Sequence, residues 1–378
     1  MLADLEDIPT LISQNQKEAP ASSLIADQEA ALATAASSIE PDSPVVSVMI
    51  ITYNHEKYIA QAVESALAQK VSFPIELVIG EDCSTDGTRG ILLGYQRSYP
   101  DKVRLLLPER NLGMHRNFIA TLAACRGRYV ALLEGDDFWT FPMKLQRQVE
   151  FLERHPECST SFHAVRSIRD DDPSYEHEWP DPARVKSYSS VQDLFFGCIV
   201  PTCSAVFRRS SNFRFPKWIH DLTAVDWVLH ILNAERGSLA FLNETWAVYR
   251  VHAGGVWSGR STVDQYKERI KFYEILRREL DPRFEMALTR LKIATMHCLL
   301  IEYWNRGEFS EAEILARRCW AEGPWYLYPV GRVSIALRVY TPGCFSLLSK
   351  GKRVALHWLT RTARPKVPRA QSNDQQTN

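Results

Sequence analysis

Apolar residues set in abruptly at Val45 and then fall into an alternation of two periods. Val45-Val46-Ser47-Val48-Met49-Ile50-Ile51 is β-branched and too short for a helix, which predicts a strand buried on both faces. Ile59, Ala62, Val63, Ala66 and Leu67 then recur at helical spacing, predicting a helix over Tyr58–Gln69. The pair repeats three times: strand Ile75–Ile79 with helix Thr88–Tyr99, strand Val103–Leu107 with helix Met114–Cys125, and strand Tyr129–Leu133 with helix Pro142–His155. Proline at the first turn suits the start of the last helix. Short connections between alternating strands and helices imply an α/β fold with a mostly parallel, doubly wound sheet. Ligands of such sheets lie beyond the carboxyl ends of the strands.

After Cys158 the pattern loosens. Cys158–Val165, Ser204–Arg208 and Trp246–Val251 read as strands, and Arg169–Pro182 reads as an acidic, proline-containing loop. From about Thr262 the chain becomes helical, with long periodic segments at Gln265–Glu279 and Phe284–Asn305. Arg306-Gly307-Glu308-Phe309 then turns into Ser310–Trp320, as in an antiparallel helical hairpin. No internal repeat extends that hairpin into a solenoid. The expected division is a flexible leader over 1–44, a catalytic-type α/β domain over 45–260 and a helical extension over 261–322. A basic amphipathic segment over 323–363 and a disordered tail over 364–378 complete it.

With 378 residues, 45% of them hydrophobic, the chain can bury a large core and an appendage. Formal net charge is zero, so total charge argues for no nucleic-acid partner. Its distribution changes the picture. Residues 1–42 carry acids with Lys17 as the only base, whereas between Glu322 and Asp374 there is no acid. Arg332, Arg338, Lys350, Lys352 and Arg353 lie there among Trp, Tyr, Leu and Val, a mixture suited to an anionic membrane surface or to packing on the hairpin. The eight cysteines form no CxxC pair or Cys/His metal spacing. No secretory leader and no spanning apolar run is evident, so the expected location is cytoplasmic with peripheral contact at the inner membrane face.

Candidate chemistry gathers just past the strand ends. Asp82, in Glu81-Asp82-Cys83-Ser84-Thr85-Asp86-Gly87, follows a strand, where a carboxylate can accept an N–H such as the N3–H of a uracil and Thr52 and Tyr53 could bracket the same base; Asp86 suits a helix cap. Leu132-Leu133-Glu134-Gly135-Asp136-Asp137-Phe138-Trp139 ends an apolar run in two adjacent carboxylates. A hard divalent cation held there would neutralise charge developing on a diphosphate. Asp226 precedes Trp227 and an apolar helix, where it serves either as a cap or as a base; Asp221 is its rival. Tyr249-Arg250-Val251-His252 is followed, after Ala253, by the pair Gly254-Gly255, which would let backbone approach phosphate.

These stations together resemble the inverting family 2 glycosyltransferases of bacterial surface-polysaccharide type, which have the GT-A fold. The resemblance covers about Val45 to Ser258, and it includes Trp139, Pro142, Lys144, Leu145 and Gln148 after the acid pair. It implies sugar transfer from a nucleotide-sugar donor, UDP-linked by the Asp82 reading, to a hydroxyl of a glycan or lipid-linked acceptor. It further implies that Asp226 is the general base, Asp136 meets the sugar-nucleotide, Asp137 reaches Mn²⁺ or Mg²⁺, and His252 joins the ion or the phosphate. Arg250 would pair with phosphate or hold its loop, and Asn111, in Asn111-Leu112-Gly113, would lie near the donor sugar. Glu81 stands where relatives more often carry Asp. The competing readings are a nucleotidyltransferase, for which Thr52–Lys57 lacks the glycine-rich basic phosphate loop, and a degenerate glycan- or nucleotide-binding scaffold.

Overall fold

The computed structural model describes residues 43–210, 215–252 and 260–322. Calls on the leader, on 253–259 and on the basic segment and tail from 323 onward lie outside those residues. The first half alternates as the periodicity predicts. Strands β1 (Val46–Thr52), β2 (Ile75–Glu81), β3 (Val103–Leu106) and β4 (Tyr129–Glu134) are separated by helices α1 (Ile59–Leu67), α2 (Thr88–Ser98) and α3 (Met114–Ala124). The strands pair in parallel in the order β3-β2-β1-β4. Side-chain alternation divides them between two cores. Met49, Val130 and Leu132 face a core shared with Phe118 and Leu122 of α3. Val48, Ile50, Ala131 and Leu133 face one shared with Ile59, Val63 and Leu92 of α1 and α2. Burying each such side chain contributes about 1.5–3 kcal/mol.

Strand β5 (Phe138–Trp139) and helix α4 (Lys144–Arg154) follow. The second half extends the sheet through β6 (Cys158–Arg169), β9 (Val206–Arg208) and β10 (Ser238–Val251), giving the order β3-β2-β1-β4-β9-β6-β10-β5. Strand β9 runs antiparallel to both β4 and β6, while β10 is parallel to β6. The acidic segment expected as a loop is instead β7 (Asp172–Trp179), an antiparallel edge strand on β6. Its charges and Pro173 are edge-strand features, which a composition-based reading takes for a loop. Short β8 (Tyr188–Ser189) pairs with β10, helix α5 (Val191–Leu194) follows it, and α6 (Val225–Ala234) packs in the α3 core. The extension is α7 (Thr262–Glu279), α8 (Glu285–Arg306) and α9 (Phe309–Glu322), with Gly307 left-handed at φ +77° between the last two. Lys292 is buried among these helices and ion-paired to Glu274 and Glu322. No helix of the described residues is long and apolar enough to cross a membrane.

At the far end of the sheet from the strand tips, Glu76 ties three segments together. Its carboxylate accepts from the Ser47 hydroxyl at 2.6 Å, the Arg126 amide at 2.8 Å and the Arg126 guanidinium at 2.8 and 3.0 Å. Burial alone would raise its pKa, but these donors and Arg104 more than offset that and hold it below the usual value. A depressed folded-state pKa stabilises the fold above the unfolded value and loses that contribution as pH falls through the folded one. Glu76→Gln is therefore expected to cost about 2–3 kcal/mol at neutral pH. The deficit should shrink in denaturant melts below pH 4, and an equal deficit at every pH would contradict the ionic origin.

Candidate active site

The tips of β1, β2 and β4 converge because the ladders continue past the strands. The Asp82 amide donates to the Thr52 carbonyl and the Gly135 amide to the Ile51 carbonyl, each at 3.0 Å. A Cβ on Gly135 would lie 2.5 Å from Thr52 Oγ1 and 3.0 Å from His55 Nδ1, so only glycine allows this approach. Asp82 is buried, and its carboxylate accepts the amides of Leu112 at 2.7 Å and Gly113 at 2.9 Å. Asn111 Oδ1 accepts the same Gly113 amide, closing a turn in which Gly113 has φ +84°. Thr52 is buried, its hydroxyl without a hydrogen-bond partner among the described residues, while Tyr53 next to it is 41% exposed. Glu81 is committed to the fold by the Ser84 amide and Arg89. Asp86 accepts the Thr88 amide at 3.0 Å, but the N-cap of α2 is Gly87, so Asp86 lies one residue before the cap it was expected to form.

Two chain-distant stations meet through β5. Phe138 and Trp139 pair antiparallel with Val248 and Ala247 of β10, so the end of β10 runs back over the acid pair. Asp137 Oδ1 accepts the Arg250 amide at 2.8 Å. The Arg250 guanidinium donates to the Asp136 carbonyl and Gln61, and stacks over the rings of Tyr58 at 5.0 Å and Phe138 at 4.6 Å. Of its two expected roles, the observed contacts are those that hold the loop. His252 Nε2 lies 2.9 Å from Asp136 Oδ2, and His55 Nε2 lies 3.7 Å from the same oxygen. The sequence reading put Asp137 and His252 together as ion ligands; the structure brings His252 to Asp136. The reason is the antiparallel register, which turns Asp137 inward beneath the Arg250 backbone. There it forms a second group with Glu134 and Cys203.

The electrostatics follow this division. Burial would raise the Asp136 pKa, but the hydrogen bond from His252 and the nearby His55 hold it down. His252 is raised by that same hydrogen bond, whereas burial lowers His55. Burial, and then the neighbouring carboxylates, push Asp137 and Glu134 well above the usual range. Asp137 Oδ2 and Glu134 Oε2 lack hydrogen-bond partners among the described residues.

Asp226 does not cap its helix. Helix α6 begins at Val225 with Ala224 as N-cap, so Asp226 sits in the first turn, and its Oδ2 accepts the Thr202 hydroxyl at 3.1 Å. Asp221 is exposed at the end of a short 3₁₀ turn. The sequence reading assigned no role to His55, Glu134 or Cys203. His55 was legible only as a neighbour of Thr52-Tyr53, and Cys203 carried no local signal. The described cysteines are all free thiols.

A mixed sheet with helices on both faces and acids at its strand tips has the architecture of a GT-A domain. Residues 47–213 match the model of the glycosyl transferase family 2 domain. An uncharacterized protein of Mycobacterium tuberculosis is 41% identical over 233 residues, 61% of this chain and 64% of that protein. The match thus spans less than two thirds of that relative. Staphylococcus aureus TarS, solved with UDP-GlcNAc, superposes with TM-score 0.54 at 18% identity, covering 77% of this chain and 86% of TarS. The mannosyltransferase PcManGT of Pyrobaculum calidifontis, solved with GDP-Man and Mn²⁺, superposes at 0.50 and 18% identity, covering 87% and 91%. At these identities the structural likeness establishes the fold.

Proposed function

We propose that the protein is an inverting glycosyltransferase that moves a sugar from a UDP-linked donor to a hydroxyl of a glycan or lipid-linked acceptor. The observation that carries this reading is the Asp136 carboxylate flanked by two imidazoles at the tip of β4, in a domain that matches the family 2 model. One hard oxygen and two nitrogen donors converging there suit a divalent ion such as Mn²⁺. Asp136, His252 and His55 would hold it, and it would supply positive charge against the departing diphosphate. Asp137 serves by clamping the Arg250 backbone, which keeps His252 in place. Asp82 and Tyr53 receive the base, with Thr52 beneath it and Asn111 shaping the adjoining turn.

Asp226 acts on the acceptor. As the acceptor oxygen attacks the anomeric carbon, its proton passes to the carboxylate, and the bond from that carbon to the phosphate oxygen breaks on the opposite face. Inversion follows from that geometry. The basic segment beyond residue 323 suits docking on an anionic membrane surface, where lipid-linked acceptors reside.

A thermal-shift screen of UDP- and GDP-sugars with and without Mn²⁺ tests the donor reading. A UDP-sugar should raise the melting temperature in the presence of Mn²⁺, and Asp82→Ala should weaken that binding at least tenfold. Donor binding with no hydrolysis or transfer would favour the scaffold alternative, and no binding at all would remove the donor site.

A further inference from the structure

Both imidazoles that flank Asp136 pack on the ring of Tyr58. That ring lies 6.4 Å from the His55 ring, edge-on, and 5.4 Å from the His252 ring. The two imidazoles meet each other edge-on at 6.0 Å. The Tyr58 amide donates to the His55 carbonyl at 2.9 Å, and the Arg250 guanidinium covers the Tyr58 ring at 5.0 Å. Gln61, three residues on, accepts from the same guanidinium. The Tyr58 hydroxyl donates to Asp170 Oδ2. Asp170 follows Arg169, which pairs in register with Val251, so it stands beside the strand end that carries His252. Strands β1 and β6 have β4 and β9 between them in the sheet. The Tyr58–Asp170 bond therefore joins loops from either side of the β4 tip, which Asp136 follows.

We infer that Tyr58 is a positioning residue that holds His55 and His252 against Asp136, with Asp170 fixing its ring through the hydroxyl. Local structure does not account for an aromatic ring here. Tyr58 is the N-cap of α1 yet makes no side-chain cap bond, a role that Ser, Thr, Asp or Asn fills better. It is partly exposed, so it is no core residue either. Its contacts are with the site. An imidazole free to turn must be ordered when an ion binds, and that entropy is lost from the affinity. Edge contacts between rings and the cation over the phenol face set the orientations beforehand. The inference rests on the reading of Asp136, His55 and His252 as an ion site, but the packing of the rings can be measured without metal.

The test uses the full chain with ¹⁵N-labelled histidine, the ring resonances being assigned with H55Q and H252Q. In metal-free protein both sets should move in Y58L. In Y58F, which keeps the ring and loses the Asp170 bond, those of His252 should move less. Mn²⁺ titration by electron paramagnetic resonance should show Y58L binding the ion about tenfold more weakly or worse, the scale on which groups supporting a ligating histidine act. Y58F should bind it about threefold more weakly, as for the loss of one hydrogen bond. Y95F, which removes the Tyr95–Glu64 bond between α2 and α1, should bind as the native protein does. An equal loss in Y95F would make the effect one of general stability and overturn the inference. Native Mn²⁺ affinity in Y58L, or ring resonances indifferent to both Tyr58 variants, would overturn it too. Should Y58L fail to fold, native affinity with unmoved His252 resonances in Y58F would do the same. If the resonances move but the native protein binds no Mn²⁺, the positioning stands and the ion reading fails.

Discussion

Asp136→Asn is expected to abolish metal-dependent turnover while leaving the fold intact. Its Oδ2 is the oxygen that both imidazoles approach, at 2.9 and 3.7 Å. An amide there keeps the shape but removes the negative charge that would hold a divalent ion. Loss of the ion should reduce the rate by ~10²-fold or more, about 3 kcal/mol of transition-state stabilisation. Mn²⁺ titration followed by electron paramagnetic resonance supplies a readout independent of turnover: the native protein should bind the ion and D136N should not. Near-native turnover of D136N, or of native protein in excess chelator, would remove the ion from the reaction.

Asp226→Asn is expected to separate donor binding from transfer. Asp226 accepts the Thr202 hydroxyl, and it makes no hydrogen bond to Asp136, Asp137 or His252 among the described residues. The variant should therefore bind UDP and Mn²⁺ as the native protein does. It cannot take the acceptor proton, so transfer should slow by about 10²–10⁴-fold, the usual scale of general-base catalysis. Calorimetry showing that D226N fails to bind UDP would move Asp226 to the donor side.

Much of this site was legible as local sequence, because each station sits where a strand ends. A run such as Tyr129–Glu134 must lie between two layers, and polar residues directly after it emerge at the sheet edge, where ligands bind. Asp82, Asp136 and Asp137 were expected just past strand ends on that ground, and the structure has them there. Partners joined by long-range register were not. His252 lies beside Asp136 because Phe138 pairs with Val248, a contact between residues more than a hundred positions apart. The same register set the Asp137 carboxylate on the Arg250 amide and the Arg250 guanidinium over the rings of Tyr58 and Phe138.

By itself the sequence determined the alternation of strands and helices from Val45 to His155, the two-sided burial of β1 and β4, and the helical extension. Hydrophobic period records the surroundings of each residue, and those are set by its own element. Tertiary structure alone decided that β9 enters the sheet antiparallel, that the acidic segment after Arg169 is an edge strand, and that Asp226 reaches Thr202 rather than capping its helix. It also decided which carboxylate the imidazoles meet. Those outcomes depend on which distant segments pair and in what register. A single period carries no record of its partner, whereas a shift of one residue in the ladder exchanges the two faces of a strand.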